Sequence, residues 1–338
     1  MTWYDAPSHA AGAALVEELT GALTDSEIRA TGVRVGRSGA EDAAGDHVLW
    51  CEIEAADPAG VRSFWRTVLG YDGTDQLVDP LRRNPAFSVR RLAGERPLRN
   101  RIHVDVVRPA NAVDRARAAT GRTPTGPYGV MLPDDEGNEV DLVPGDPLDG
   151  TSDWLALFGA MTFYPTSNPA PLVTVAAELA DAAGVPLMID VRPEGVVFDS
   201  GKDQWEENPK FLPLAQQLEA AAHELGLQAD PTRLRFVQFG IDAIDVPEVL
   251  AFWAALLGYE QDPRAGVSDL YDPRRLNPVL FFQQMQEPRE QRNRIRFGLT
   301  VPEPTKTVES ALAAGGRLLA ESPYLVADPE GNEVVINA

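Results

Sequence analysis

The chain repeats itself, and self-similarity on this scale constrains the fold before any single segment is read. Met1-Thr2-Trp3-Tyr4 recurs as Met161-Thr162-Phe163-Tyr164 and Glu18-Leu19 as Glu178-Leu179, both at an offset of 160. Gly32-Val33 matches Gly195-Val196 at 163, whereas Asp57 matches Asp245 at 188, so the second copy carries about 25 additional residues between those points. Beyond them Asp79-Pro80 matches Asp272-Pro273, Asn100-Arg101-Ile102 matches Asn293-Arg294-Ile295, and Gly137-Asn138-Glu139 matches Gly331-Asn332-Glu333. The joint between the copies is expected in 144–159, where Gly, Pro and Asp cluster as they do in linkers.

Each copy reads in two parts. The first is an apolar-periodic helix, 10–21 or 171–184, followed by an extended stretch ending in Gly-Val-Arg-Val or Gly-Val-Val-Phe. The additional residues of copy two include Leu214, Leu218, Ala221, Ala222 and Leu225, a one-face helical stripe opened by Pro213 and closed by Gly226. Copy one lacks this helix, which predicts a surface that the other copy's helix or a partner covers. The second part opens with a strand, 48–55 or 236–243, and Asp57 or Asp245 then serves as a helix N-cap. The helix that follows carries Val61, Phe64, Trp65, Val68 and Leu69, matched by Val249, Phe252, Trp253, Leu256 and Leu257, with Gly70 and Gly258 at its end. Spacings of three and four place all five on one face. Further strands (87–92, 102–107, 140–143 and their counterparts) and a short helix (112–120 or 306–314) complete a βαβββ order twice per copy.

These second parts resemble the vicinal oxygen chelate superfamily, in its glyoxalase-like (glyoxalase/bleomycin resistance/dioxygenase) branch. The resemblance rests on Phe64-Trp65 with Leu69-Gly70-Tyr71, on Phe252-Trp253 with Leu257-Gly258-Tyr259, on Asn-Arg-Ile-His-Val-Asp at 100–105, and on Asp-x-Glu-Gly-Asn-Glu at 134–139. The first parts resemble, more faintly, pterin-4a-carbinolamine dehydratase domains, without the His-His-Pro signature, so they are expected to be structural or dimerising. The implied fold is α+β: a tandem duplication with two glyoxalase-like cups of paired βαβββ modules plus small α+β segments. The expected domains are 1–45 (degenerate dehydratase-like), 46–146 (glyoxalase-like domain 1), 147–232 (linker and dehydratase-like) and 233–338 (glyoxalase-like domain 2). The two copies are expected to pack as an intrachain pseudo-dimer, with a homodimer as a further option.

In metal-dependent members, the resemblance implies a ligand seven residues before the capping Asp, another on the fifth strand and a carboxylate on the eighth. Copy one has Trp50, His103 and Asp141 there; copy two has Gln238, Arg296 and Val335. An arginine is a permanent cation and valine has no lone pair to give, so copy two has lost the set. Alternation puts Trp50, Glu52 and Glu54 on one strand face, His103 with Asp105 on another, and Glu139 with Asp141 on a third. The expected ligand-binding residues are therefore Trp50, Glu52, Glu54, His103 and Asp141 of copy one. Glu52, His103 and Asp141 are the alternative ligands of one divalent metal ion; the other reading of His103 is a histidine bonded to a neighbouring carboxylate. Glu54 and His103 are the catalytic candidates, Glu54 as a base of raised pKa or as a helix-anchoring acceptor. The arginines of Asp79-Pro80-x-Arg82-Arg83-Asn84-Pro85 and of Asp272-Pro273-Arg274-Arg275 read as turn residues in preference to an anion site. Arg101 and Arg294 read as structural, and Cys51 as a small buried apolar residue.

Thirty Lys and Arg against 51 Asp and Glu give a net charge of -21, which repels phosphate backbones and anionic lipid heads. One cysteine excludes an intrachain disulfide, and no apolar run approaches the roughly 18 residues of a membrane helix, so a cytoplasmic protein is expected. Phosphate-binding glycine loops, serine elbows and HExxH motifs are absent. Three classes of function stand. The first is a metal-independent small-molecule binder without cofactor, taking a small hydrophobic or weakly anionic metabolite. The second is a divalent-metal-dependent lyase or isomerase, and the third a non-catalytic assembly protein.

Overall fold

A computed structural model of the chain describes residues 2–23, 25–36, 47–92, 98–289 and 291–338. The expected boundary between 45 and 46 lies outside them. The chain divides into two units, and neither is a copy: one takes 1–45, 107–112 and 144–236, the other 46–106, 113–143 and 237–338. Among the described residues no helix is long and apolar enough to cross a membrane.

The first unit holds a seven-strand run ordered Thr2–Asp5, Gly32–Val35, Ser26–Arg29, Met188–Arg192, Gly195–Asp199, Gly159–Pro165, Leu155–Leu157. The copies meet in its middle, where Ser26–Arg29 pairs antiparallel with Met188–Arg192 and Ile28 stands opposite Ile189. Val16, Ile28, Leu172, Ala176, Ile189, Leu214 and Leu218 share one apolar core, so both copies contribute to it. Helix Phe211–Glu224, the insertion of copy two, packs chiefly on Ala170–Ala183 of its own copy, and its Leu214 and Leu218 join a core that also takes Val16 and Ile28 of copy one. Charged partners at the junction are buried and matched. Arg34 Nε donates to Glu27 Oε2 at 2.5 Å, Arg192 donates to Glu27, and Arg29 Nη1 donates to Asp190 Oδ1 at 2.7 Å. Burial raises the Glu27 pKa, but the two guanidiniums overcome it and bring it down to about 2.

The second unit is built from the expected modules, joined differently. Asp57 and Asp245 cap helices Pro58–Leu69 and Val246–Leu257, which end at Gly70 (φ 66°) and Gly258 (φ 67°) in the left-handed conformation that glycine accepts without strain. The five apolar residues of each helix are buried, and Trp65 and Trp253 donate their indole N–H to Asp134 and Asp328 at 3.0 Å, so neither ring leaves a buried donor unpaired. One sheet runs Arg317–Glu321, Tyr324–Ala327, Glu333–Asn337, Ile295–Thr300, Val48–Ala55, Phe87–Arg91, Gln76–Leu77. The other runs Glu139–Pro147, Ile102–Pro109, Phe236–Ala243, Leu280–Gln284, Leu270–Tyr271, Glu260–Gln261, with Met131–Pro133 beside Glu139–Pro147. Val48–Ala55 of copy one therefore pairs with Ile295–Thr300 of copy two, Trp50 opposite Gly298 and Glu52 opposite Arg296. Each cup joins the first module of one copy to the second module of the other.

Reciprocal hydrogen bonds explain the exchange. Asn100 Oδ1 accepts from the Arg294 backbone N–H at 2.7 Å, and Asn293 Oδ1 from that of Arg101 at 2.8 Å. Arg101 Nε donates to Asn332 Oδ1 at 3.0 Å, and Arg294 Nε to Asn138 Oδ1 at 2.8 Å. Asn84 accepts from the Val237 backbone and Asn277 from the Leu49 backbone, both at 3.1 Å. The repeated motifs are thus clasps between copies. Asp79 and Asp272 bind the N–H groups of their own turns, the structural reading preferred for those arginine-rich segments.

Candidate functional site

In the first cup, the side chains expected to hold a ligand are neutralised by arginines. Glu52 accepts from Arg296 Nε at 2.6 Å and lies 2.7 Å from Arg90 Nε. Glu54 accepts from Arg90 Nη2 at 2.5 Å and Arg292 Nη1 at 2.7 Å, while Arg292 Nε reaches both oxygens of Glu333 at 2.6 Å. The Trp50 ring covers Gly298 so closely that a Cβ there would meet its Cε2 at 1.9 Å. Two guanidiniums grip Glu54, so it is not a lone carboxylate in an apolar cup. Cys51 faces the core, fully buried, and burial followed by the neighbouring Glu52 charge pushes its thiol pKa well up.

The second cup gathers a different set. His103, Asp105 and Asp141 place a ligand atom each within 4.8 Å of one another. Gln238, which arrives from copy two, donates Nε2 to Asp105 Oδ2 at 2.9 Å. The Gln238 side chain is 4% exposed, and its Oε1 has no hydrogen-bond partner among the described residues. His103 lies over Gly240, where a Cβ would meet its Cε1 at 2.2 Å, and edge-on to Phe281 with centroids 5.4 Å apart. Burial lowers the His103 pKa to about 4 against the opposing charge of Asp242, so the imidazole is neutral at pH 7 with a lone pair to give. Burial, with Glu139 beside it, raises the Asp141 pKa. Asp242 accepts from Arg289 Nη1 at 3.1 Å and Arg99 Nη1 at 3.4 Å, and Arg99 Nε donates to Glu139 at 2.6 Å. A cavity of about 700 Å³ is lined by Leu98, Arg99, Asp242, Gln283, Met285 and Arg289; the cluster itself does not line it and is linked to it through the charges of Asp242 and Arg99.

The five side chains read from copy one therefore divide: Trp50, Glu52 and Glu54 line one cup, and His103 and Asp141 the other. Glu52 cannot join His103 and Asp141 as a metal ligand, because its carboxylate is committed to Arg296 and Arg90 on a different sheet. The positions that the resemblance implies for ligands are filled in the second cup by Gln238, His103 and Asp141. Asp105, two residues beyond His103 on the same strand face, is the addition; its alternation with His103 is visible in the sequence.

The profile of the Glyoxalase-like domain matches the chain twice, at residues 50–143 and 238–337, over more than half of its length. The chain belongs to the glyoxalase-like domain family. Neither match extends over the segments compared above with carbinolamine dehydratases. Among curated proteins none matches. Among solved structures, glyoxalase I from Zea mays is 10% identical, with a TM-score of 0.41, covering 86% of this chain and 92% of that one. A mutant of glyoxalase I from Zea mays gives 11% identity and a TM-score of 0.40, covering 86% and 94%. A hypothetical protein from S. aureus, 15% identical with a TM-score of 0.22, covers 29% of this chain and 88% of that one. This glyoxalase-like protein thus keeps the family's repeated module and distributes two unlike side-chain sets between its cups.

Proposed function

We propose that this glyoxalase-like protein binds a small molecule at the cup of Gln238, His103, Asp105 and Asp141, and that the site is built for one divalent cation. The observation that carries the reading is the meeting of Gln238 from copy two with His103, Asp105 and Asp141 from copy one. A neutral imidazole, two carboxylates and a buried carbonyl oxygen without a hydrogen-bond partner suit a first-row divalent ion, and such an ion polarises paired oxygens of a substrate. The remaining work falls to the chain. Arg99 and Arg289 hold Asp242 at the cavity wall, leaving its carboxylate anchored as Glu54 is in the other cup. Leu98 and Met285 offer apolar contact beside the two guanidiniums, which suits a small hydrophobic or weakly anionic metabolite. The reaction class is then a lyase or isomerase, and the cup of Glu52 and Arg296 is a structural partner.

The metal-independent reading keeps the same cup and dispenses with the ion. Elemental analysis of untagged protein purified without chelator separates the two readings: about one equivalent of metal lost in His103→Ala is expected, whereas metal-free wild-type protein supports the binder alone. Thermal-shift screening of small dicarbonyls and catechols against His103→Ala and Arg296→Ala tests the choice of cup. Stabilisation by a ligand is expected to vanish in His103→Ala and persist in Arg296→Ala; the reverse pattern would place the site in the other cup.

A further inference from the structure

A second group of metal-ligating side chains converges outside the glyoxalase-like cups. Glu219 and His223 stand four residues apart on helix Phe211–Glu224, hence on one face, against the turn that carries Asp153. Each of the three offers a ligand atom within 4.8 Å of the others, and His223 Nε2 lies 2.9 Å from Asp153 Oδ2. The carboxylates are oriented from behind. Tyr164, whose ring is fully buried, donates its hydroxyl to Asp153 Oδ2 at 2.8 Å. Ser152 donates Oγ to Glu219 Oε1 at 2.6 Å, and the Ser152 and Asp153 backbone N–H groups donate to Glu219 Oε2 at 3.0 and 3.1 Å. Outer partners of this kind fix ligand orientation in metal sites. The His223 side chain is 48% exposed, which leaves an entry path.

We propose that Asp153, Glu219 and His223 form a divalent-cation site of the one-imidazole, two-carboxylate kind, suited to zinc or nickel, with water completing the coordination. Two carboxylates balance the charge of the ion. Glu219 and His223 belong to the insertion that copy one lacks, so the site has no counterpart in the repeat. A bound ion ties the inserted helix to a turn within the 144–159 segment that joins the copies.

The test is calorimetric titration of the untagged full chain with zinc, alongside His223→Ala, Glu219→Gln and His103→Ala, with cobalt absorption as a spectroscopic readout of imidazole ligation. One equivalent is expected to weaken at least tenfold in His223→Ala and in Glu219→Gln, with the thermal stabilisation by zinc reduced in both. His223 is half exposed, so its truncation leaves the fold intact, and the metal-free melting temperature checks this. Wild-type stoichiometry and affinity in both variants would overturn the proposal. If the wild type binds one equivalent, lost in His223→Ala and kept in His103→Ala, this proposal stands and the cation reading of the cup falls.

Discussion

The two cups of the second unit share a backbone plan and differ at two cross-strand pairs. Trp50 opposite Gly298 in one cup corresponds to Gln238 with Asp105 in the other, and Glu52 opposite Arg296 corresponds to Gly240 with His103. In the first cup an indole lies on a glycine, and three arginines neutralise Glu52, Glu54 and Glu333. The second keeps the smaller side chains on one strand and gathers an imidazole, two carboxylates and an amide. On the proposed reading, one duplicated scaffold commits one cup to bracing and leaves the other to a ligand. The arginines are the deciding element, since a carboxylate paired with two guanidiniums is already charge-compensated and held in place.

Breaking the braced cup should cost the most. Arg296→Ala leaves Glu52 a buried carboxylate short of its nearest cation, and removing one partner of a buried pair typically costs about 3–5 kcal/mol. Urea denaturation should show a loss of that order with cation and ligand binding unchanged; a loss below about 1 kcal/mol would remove the bracing role. The pH dependence of stability sharpens the contrast next. His103 has its pKa lowered from 6.5 to about 4, so between those values the unfolded chain binds the extra proton and the folded one does not. Its contribution is complete above pH 6.5 and lost as pH falls toward 4, by at most about 3 kcal/mol at 1.36 kcal/mol per pKa unit. Denaturation midpoints between pH 7 and 4 should therefore fall more steeply in the wild type than in His103→Gln, and parallel profiles would contradict the burial argument. The smallest expected effect comes from the two glycines. Gly298→Ala and Gly240→Ala each insert a methyl where a ring already sits, at about 1–3 kcal/mol. Only Gly240→Ala, which presses on His103, should also weaken cation binding, and equal binding in both variants would show that His103 is not a ligand.

Much of this fold is legible in the sequence because its determinants are local. Asp57 and Gly70 bracket a helix whose five apolar residues repeat at three and four, and the same signals recur at Asp245 and Gly258. Strands Val48–Ala55 and Phe236–Ala243 carry the expected alternation. The exchange of modules is not legible in this way. Asn100 and Asn293 mark a strand entry in either arrangement, and which copy they bind is a property of the folded pair. Gln238 therefore stands at a recognised ligand position in the sequence, yet grouping side chains by copy sets it beside Arg296 and Val335 and hides its neighbours. The glutamates suffer the converse error, because Arg90 and Arg296 lie 38 and 244 positions from Glu52 and no short-range pattern links them.

If the cation-binding cup draws on both copies, cation binding by Gln238→Ala and Trp50→Ala should differ. The two residues occupy the same position in the repeat. Both variants should be made in a His223→Ala background, so that only the cup reports. Calorimetry with zinc or nickel should show the remaining equivalent weakened at least tenfold by Gln238→Ala and untouched by Trp50→Ala. Binding that survives Gln238→Ala unchanged and is lost in Trp50→Ala would contradict the account, since it would return His103 and Asp141 to a cup made by copy one alone.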